Sequence, residues 1–437
     1  MDNLIVLSYL LLTLFIGICN RSRSGNFKSF ASVKDSTRNN KLLLMATIFV
    51  SSVGGGTTFG LAEKSFTGNI AFTYGLILTI PIDLLVARFV VPQLTKHYGA
   101  ESIGDIMVAY YGRAGRMIAG ISAIVLSIGF LAAQISVSGR IFQYILRVDF
   151  IQGVILSYSI VIIYTTIGGL RSVMFTNVLQ FFAMIVAIPV ITIIGIKIIG
   201  LDNFIASVPK DRIFFSHDNS LFTDTLSATL SFAVMGLYPN FIQRTLINSN
   251  HKETSKAIYY KTAIYSVFLV FTTINGLIAY LIYPEQASSL ALPFLIDQII
   301  PVGLKGIVVV GLLATVMSTA DSDLNITSIS LVKDLFVPIY GEKNQQKLLQ
   351  LARVANIIVG SAAIFIALRY TSIVDLVVFV AGFWGPIIVV PLLFGLFGTT
   401  IPKKMMILNS VISPAIFLIW EHYFANMYNL RGVFVGT

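Results

Sequence analysis

The chain has 437 residues, of which 56% are hydrophobic and only 11% are charged. A water-facing surface needs more charge than this, so the composition excludes a soluble globular protein and indicates an integral membrane protein. The formal net charge is +10, but no basic segment interleaved with aromatic residues is present, and a nucleic-acid partner is not predicted.

Apolar segments recur along the whole chain, with short polar joints between them. A hydrocarbon core of roughly 30 Å requires about 20 apolar residues per helix. By that rule we predict an all-α fold with about twelve membrane-spanning helices, at residues 4–19, 42–62, 69–92, 117–145, 150–169, 177–200, 223–246, 259–283, 303–332, 354–368, 373–397 and 405–424. The first follows MDNL, which lacks the basic start of a signal peptide, and we interpret it as a retained helix.

Two of the predicted helices contain helix-breaking residues near their middle. The second carries three consecutive glycines at 54–56, each costing about 1 kcal/mol of helix propensity relative to alanine. The seventh carries Gly236 and Pro239, and an interior proline costs about 3 kcal/mol. Kinks or close packing would also explain such residues. Transporters, however, bind solutes where helices unwind near the membrane midplane, and this pattern favours that reading.

The two breaks occupy corresponding positions in two halves of the chain. If residues 42–200 form one five-helix unit and residues 222–398 another, each break lies in the first helix of its unit. That arrangement is typical of an inverted-repeat transporter. It leaves residues 1–20 and 405–437 as peripheral helices.

Lysine and arginine concentrate in alternate loops, beginning with the loop at 20–41. The positive-inside rule therefore predicts that this loop is cytoplasmic and that the N-terminus lies outside. The excess positive charge then implies contact with anionic lipid headgroups of the bilayer. No organelle-targeting signal is recognisable, so we predict a multi-pass protein of a cytoplasmic (inner) membrane.

Sequence signatures of enzymes and of nucleotide-driven pumps are not found. Cys19 is the single cysteine, and the four histidines are scattered without metal-ligand spacing. No phosphate-binding loop, nucleophile elbow or HExxH motif occurs. We therefore predict neither an enzyme nor a bound cofactor, and no obligatory protein partner is evident.

Four stretches together resemble the sodium:solute symporter family: VGGGTTFGLAE at 53–63, YTTIGGLRSVMFTNVLQ at 164–180, GLYPNFIQRTL at 236–246 and VMSTADSDLN at 316–325. They lie in the family's order and at roughly its spacing, over nearly the whole chain. The resemblance implies a LeuT-like fold and sodium-coupled uptake of a small organic solute.

The VMSTADSDLN stretch places several oxygens on one helical face. Ser318, Thr319 and Ser322 lie at i, i+1 and i+4, so their hydroxyls point the same way. Sodium is a hard cation that takes several oxygen ligands. The resemblance implies sodium ligation by the hydroxyls of Ser318 and Thr319 and the carbonyls of Val50, Val53 and Thr315. Na⁺ is the only metal predicted.

Two aspartates in this stretch are costly inside a membrane, at about 2.5 to 3.5 kcal/mol each near a helix centre. We predict a second cation or proton site from Asp321, Ser322 and Asn177, and expect Asp323 to lie nearer the cytoplasmic end. The family usually has an aspartate in the Thr-Asp-x-x-Gln pattern where this chain has Asn177. That departure leaves open how many cations are coupled and whether a proton replaces sodium.

The solute is predicted to bind between the two breaks. The lining is predicted to comprise Gly55, Gly56, Thr57, Ser231, Met235, Tyr238 and Asn240. No formal charge lies within either break, which favours a small zwitterionic, neutral or carboxylate solute bound by helix-end dipoles and hydroxyls. Quaternary ammonium and sugar solutes are disfavoured. Gln243 and Arg244 either anchor the second broken helix at the cytoplasmic side or form an inner gate with an acidic residue.

The function predicted from these features is sodium-coupled symport of a small organic solute by alternating access. A proton-coupled symporter of the same fold is the closest alternative. A solute sensor without transport is the other, although only NLRGVFVGT follows the last predicted helix and offers no output domain.

Overall fold

The computed structural model describes residues 1–20, 25–33, 41–215, 221–369, 373–399 and 401–423, and all regular structure in these ranges is helical. Apolar runs without β-type alternation, and the need to satisfy backbone hydrogen bonds within each segment, dictate helices in a bilayer. The first half of the chain contains α1 (Asp2–Cys19), α2 (Phe27–Ala31), α3 (Lys41–Ser52), α4 (Leu61–Thr67), α5 (Ala71–Leu78), α6 (Ile80–Leu85), α7 (Val91–Leu94), α8 (Ile103–Tyr144), α9 (Phe150–Ile199), α10 (Leu201–Ser207) and α11 (Lys210–Ile213).

The second half is helical in the same way. It contains α12 (Leu221–Met235), α13 (Pro239–Thr245), α14 (His251–Ile282), α15 (Ala291–Ile299), α16 (Leu304–Ser330), α17 (Val337–Tyr340), α18 (Gln345–Ala367), α19 (Ile373–Trp384), α20 (Val390–Leu396) and α21 (Lys403–Tyr423). Wider π-type turns at Gly56–Gly60, Val86–Val90, Leu331–Phe336 and Gly385–Val389 connect successive helices within longer helical rods.

Helix α9 is too long to cross a membrane once. Its 50 residues would measure about 75 Å if straight, more than twice the hydrocarbon thickness. Gly169 divides it with φ 61° and ψ −155°, a left-handed conformation that disfavours any side chain. The polar joint predicted between residues 169 and 177 is therefore not a loop, because the helix is interrupted by a kink at one glycine and resumes immediately.

The twelve predicted spans do not correspond one for one to helices of the structure. Over the described ranges, nine helices are long and apolar enough to cross a membrane, or ten if Lys41–Ser52 and Gly56–Thr67 form one bent span. The predicted spans 150–169 and 177–200 are both contained in α9. The predicted span 223–246 is divided between α12 and α13, neither of which reaches a bilayer-crossing length.

Helix α16 lies at the centre of the molecule and packs against α1, α8, α9 and α18. From Leu312 to Ser330 every residue of it is buried, including the polar ones. On its other side α3 and α13 approach it, and α14 packs on α3 and α4. One polar face of α16 is thus directed at the two broken helices, which positions a site at their junction.

Candidate functional site

The first break separates α3 from α4 by a bend of 61°. Helix α3 ends at Ser52 and helical structure resumes at Gly56. The Gly55 amide donates to Gln134 Oε1 of α8 at 2.7 Å, and the Gly54 amide donates to Thr57 Oγ1 at 3.0 Å. A β-carbon at residue 54 would lie 2.9 Å from Thr319 Oγ1, so the close approach of α16 requires glycine there. The break frees backbone carbonyls on the side that faces α16.

Five oxygens predicted to ligate sodium lie together at this junction. Thr319 Oγ1 is 3.0 Å from the Val53 carbonyl oxygen and 3.3 Å from that of Thr315. Ser318 Oγ is 3.5 Å from the Val50 carbonyl oxygen and 3.3 Å from that of Thr315. All five residues are buried. Because hydroxyl rotors turn freely, the two side chains can direct lone pairs at a cation that also meets the three carbonyls.

Asp321 faces away from this cluster, toward α9. Its Oδ2 accepts from Tyr164 Oη at 2.6 Å and from Thr176 Oγ1 at 3.4 Å. Its Oδ1 accepts from Ser322 Oγ at 3.2 Å. The carboxylate is fully buried and surrounded by hydroxyls, which is an environment suited to a cation or a proton.

Asn177 was predicted to share the site at Asp321, but its side chain contacts Thr47 instead. Its amide nitrogen donates to Thr47 Oγ1 of α3 at 2.9 Å, so it connects α9 to the first broken helix. Its side-chain oxygen is buried and has no hydrogen-bond partner among the described residues. The neighbouring Thr176, not Asn177, provides the contact from α9 to Asp321.

Asp323, expected nearer the cytoplasmic end of α16, is enclosed by the protein. Its side chain is buried, and Oδ1 accepts from Asn240 Nδ2 of α13 at 2.5 Å. The second broken helix approaches α16 closely enough to cover it. Asn240, predicted as a solute ligand, is consequently occupied by this carboxylate rather than directed into the cavity.

The second break lies between α12 and α13, at residues 236–238. Tyr238 Oη donates to the Ser51 carbonyl oxygen of α3, and Trp384 Nε1 donates to the Leu237 carbonyl oxygen at 3.0 Å. The two broken helices are therefore joined directly through Tyr238. Proline at the first position of α13 fits its role as a helix start, since the amide it lacks would be unpaired there anyway.

Arg244 is fully buried, which contradicts an anchoring role at the membrane interface. Its Nη1 donates to Gln243 Oε1 at 2.9 Å and its Nη2 donates to Ser322 Oγ at 2.8 Å. The guanidinium thus connects α13 to α16 through a hydroxyl next to Asp321. The predicted pairing with an acidic residue is replaced by this hydroxyl contact in the part of the chain that the structure describes.

A cavity of about 280 Å³ opens between the two breaks. Gly56, Thr57 and Tyr238 line it as predicted, whereas Gly55 is turned toward Gln134. The side chains of Ser231 and Met235 lie outside the described part of the structure. Thr319, predicted as a sodium ligand, also lines the cavity. Lining residues that were not predicted for either site include Ser51, Ser52, Gly54, Phe72, Asp83, Phe130, Gln134, Lys261 and Tyr265. For Asp83, Gln134 and Lys261, the sequence offered one signal of a functional position, which is a polar or charged side chain within an apolar span.

Three features together define a LeuT-fold secondary transporter. Two helices are broken, a central helix directs hydroxyls at the first break, and a cavity lies between the two breaks. The family model of the sodium:solute symporter family matches residues 40–404, and the chain belongs to that family. It is a multi-pass membrane protein that couples solute transport to Na⁺. Members of this family are transporters, not enzymes.

Curated relatives agree with this assignment. The chain is 25% identical to a sodium/pantothenate symporter of Haemophilus influenzae over 348 residues, covering 74% of this chain and 71% of that one. It is 26% identical to the proline transporter PutP of Bacillus subtilis over 329 residues, covering 70% and 67%.

Solved structures establish the fold. A substrate-bound, outward-open sodium-coupled sialic acid symporter superposes with a TM-score of 0.86 at 18% identity, over 100% of this chain and 96% of that chain. Mhp1, a nucleobase-cation-symport transporter, superposes with a TM-score of 0.61 at 12% identity, over 93% and 92%. The predicted LeuT-like fold and sodium-coupled symport are confirmed by these likenesses and by the family match.

Proposed function

We propose that this protein imports a small polar organic solute by alternating access, with Na⁺ bound by Val50, Val53, Thr315, Ser318 and Thr319. The observation that carries the proposal is the convergence of their five oxygens in one buried cluster, at distances of 3.0 to 3.5 Å. Three are carbonyls and two are hydroxyls. A ligand set without formal charge binds a monovalent cation and still allows it to leave.

The energetics of one sodium ion are sufficient for accumulation. Entry of one cation releases roughly 2.3 kcal/mol at about −100 mV, and a tenfold sodium gradient adds about 1.4 kcal/mol. The sum of about 3.7 kcal/mol would sustain a solute ratio of roughly 500-fold. Coupling through the single proposed cluster would therefore be productive.

A second cation or proton site is proposed at Asp321 and Ser322. Asp321 is the buried carboxylate nearest the sodium cluster along α16, and its oxygens accept from hydroxyls of Tyr164, Thr176 and Ser322. Asn177, which was predicted for the same site, contacts Thr47 of α3 instead. Proton coupling is the alternative, with Asp321 as the group that carries the proton. The family usually has an aspartate where this chain has Asn177, so Asn177 supplies no second acidic group for a cation.

The solute is proposed to bind in the cavity lined by Gly56, Thr57 and Tyr238. Relatives of this chain are named as transporters of pantothenate, sialic acid, proline and glucose. A cavity of about 280 Å³ is at the small end of ligand sites and suits a metabolite of that size range. We therefore propose an amino-acid-like, carboxylate or other small polar solute.

The arrangement in the membrane completes the proposal. Residues 42–200 and 222–398 are proposed to form the two inverted repeats, and residues 1–20 and 405–423 to be peripheral. Residues 424–437, which the prediction also assigned to the peripheral part, lie outside the described residues. The N-terminus lies outside a cytoplasmic (inner) membrane. Gln243 and Arg244 act at the inner gate, where Arg244 connects α13 to α16.

Calorimetry on the purified protein tests sodium coupling. Wild type and the Ser318→Ala/Thr319→Ala variant are each titrated with Na⁺ and with a panel of small organic solutes. Solute binding should tighten with Na⁺ in the wild type and lose that dependence in the variant. Solute binding that is independent of Na⁺ but varies with pH would refute the proposal and favour proton coupling through Asp321.

A further inference from the structure

The solute cavity contains an ion pair that none of the site assignments above uses. Asp83 of α6 and Lys261 of α14 lie 178 residues apart in the chain, and Lys261 Nζ contacts Asp83 Oδ2 at 2.8 Å. Both residues line the same cavity as Thr319 of the proposed sodium cluster. The side chain of Lys261 is 5% exposed and that of Asp83 is 22% exposed. The pair is thus at the cavity wall and not at a lipid-facing surface.

Both charged groups retain hydrogen-bonding capacity toward the cavity. The described contacts to the carboxylate, from Lys261 Nζ and from Thr262 Oγ1 at 3.4 Å, both reach Oδ2. Among the described residues, Asp83 Oδ1 accepts no hydrogen bond, and Asp83 lines the cavity. An ammonium has three donors, and the one hydrogen bond described for Lys261 goes to Asp83. The pair therefore offers an acceptor and donors side by side.

The spacing of these groups restricts what they can recognise. Lys261 Nζ lies 2.8 Å from Asp83 Oδ2. Two solute groups that bind the ammonium and the carboxylate at the same time must therefore be neighbours within the solute. A carboxylate accepts from the ammonium, and a hydroxyl or amino group on the adjacent carbon donates to Asp83 Oδ1. The cavity lining also includes the apolar side chains of Phe72, Leu76 and Phe130, which suit a carbon body without further charge.

We propose that Asp83 and Lys261 bind the head group of the transported solute, and that the solute is a small 2-amino or 2-hydroxy carboxylate. The inference rests on the proposed sodium-symport function and specifies its substrate class. Lys261 Nζ donates to the carboxylate, and Asp83 Oδ1 accepts from the 2-substituent. The ion pair is electrically neutral, so a zwitterionic head group, or an anionic one bound together with Na⁺, leaves little uncompensated charge in the cavity.

Equilibrium binding to the purified full chain in saturating Na⁺ tests this assignment. The probes are L-proline, L-alanine, L-lactate and N-acetylneuraminate, each beside its amide. At least one acid should bind the wild type, with its amide at least tenfold weaker. Lys261→Met should lower the affinity for that acid at least tenfold and leave the affinity for the amide unchanged.

A purely structural ion pair between α6 and α14 predicts a different result. The charge-swapped variant Asp83→Lys/Lys261→Asp restores a pair but moves the cation to the other helix. It should bind the acid as weakly as Lys261→Met does. If Lys261→Met is unstable, Asp83→Leu/Lys261→Met takes its place, since it leaves no unpaired charge.

Lys305→Met is the matched control. Lys305 Nζ lies 3.0 Å from Asp297 Oδ1, and neither residue lines the cavity. This variant should retain wild-type affinity.

Three outcomes would overturn the assignment: the wild type binds no acid of the panel, it binds amides as tightly as acids, or the charge-swapped variant binds like the wild type. Thermal unfolding with and without Na⁺, in the absence of solute, separates these outcomes from a failure of the proposed function. If Na⁺ still raises the unfolding midpoint, sodium coupling stands and the head-group site alone is wrong. If Na⁺ has no effect on the wild type, the proposed function fails first.

Discussion

Thr319→Val isolates one ligand of the proposed sodium site. Valine preserves the branched shape of threonine and removes the hydroxyl that lies 3.0 Å from the Val53 carbonyl oxygen and 3.3 Å from that of Thr315. An interaction of a polar group with a charge contributes about 1.5 to 3 kcal/mol. Since 1.4 kcal/mol is tenfold, the affinity for Na⁺ should fall by roughly 10- to 150-fold.

Sodium-dependent thermal unfolding measures this change without knowledge of the solute. A ligand that binds only the folded state stabilises it by RT ln(1 + [L]/Kd), which is about 2.7 kcal/mol at a hundredfold excess over Kd. If Kd rises about a hundredfold, the same sodium concentration stabilises the variant by only about 0.4 kcal/mol. The midpoint of unfolding should therefore rise with Na⁺ in the wild type and hardly move in Thr319→Val.

Thr315→Val is the matched control on the same helix. The Thr315 hydroxyl donates to the Leu312 carbonyl oxygen at 2.7 Å, and only its backbone carbonyl contacts Ser318 and Thr319. This variant should retain the sodium response of the wild type. Equal responses of the two valine variants would refute the ligand assignment, whether both were lost or both were kept.

Three further substitutions test the surroundings of the cluster. Asp321→Asn removes the buried carboxylate of the second proposed site, so uptake into vesicles should depend less steeply on the cation concentration, with the oxygen cluster as the remaining cation site. An unchanged cation dependence would exclude that role. Gly54→Ala places a β-carbon 2.9 Å from Thr319 Oγ1 and 3.1 Å from Gln134 Nε2, which displaces the proposed sodium ligand. The sodium concentration that gives half of the maximal stabilisation should therefore rise, by about tenfold for each 1.4 kcal/mol of strain in the sodium-bound state. Arg244→Met leaves the acceptors on Gln243 and Ser322 unpaired, which should destabilise the fold by about 1 to 3 kcal/mol; an unchanged unfolding midpoint would contradict the contacts described.

The oxygen cluster could be anticipated because its signals are local. Helical periodicity places Ser318, Thr319 and Ser322 on one face, and the glycines at 54–56 predict where carbonyls are released. Both signals depend on residues within a few positions of one another. The pairing of the two segments is not local, and it was predicted from the resemblance to the sodium:solute symporter family.

Contacts between distant helices could not be anticipated in the same way. Asp323 lies on the face opposite Asp321, and only the approach of Asn240 from α13 explains its burial. Arg244 lies in a sequence that reads equally well as an interfacial anchor. Asp83 and Lys261 occur as single charges in separate spans, and their pairing depends on the tertiary position of α6 against α14.

The first break provides a physical route by which solute and sodium influence each other. Thr319 lines the solute cavity and also supplies a hydroxyl to the oxygen cluster, while Gly54 lines the cavity next to the Val53 carbonyl. On the proposed site assignments, a solute that orders residues 54–57 would also fix a sodium ligand, and bound Na⁺ would in turn fix the cavity wall. Linkage requires that each ligand raise the affinity of the other by the same factor. The glycine-rich break is therefore better suited to coupling than a continuous helix, because a continuous helix would hold both sites formed whether or not either ligand was present.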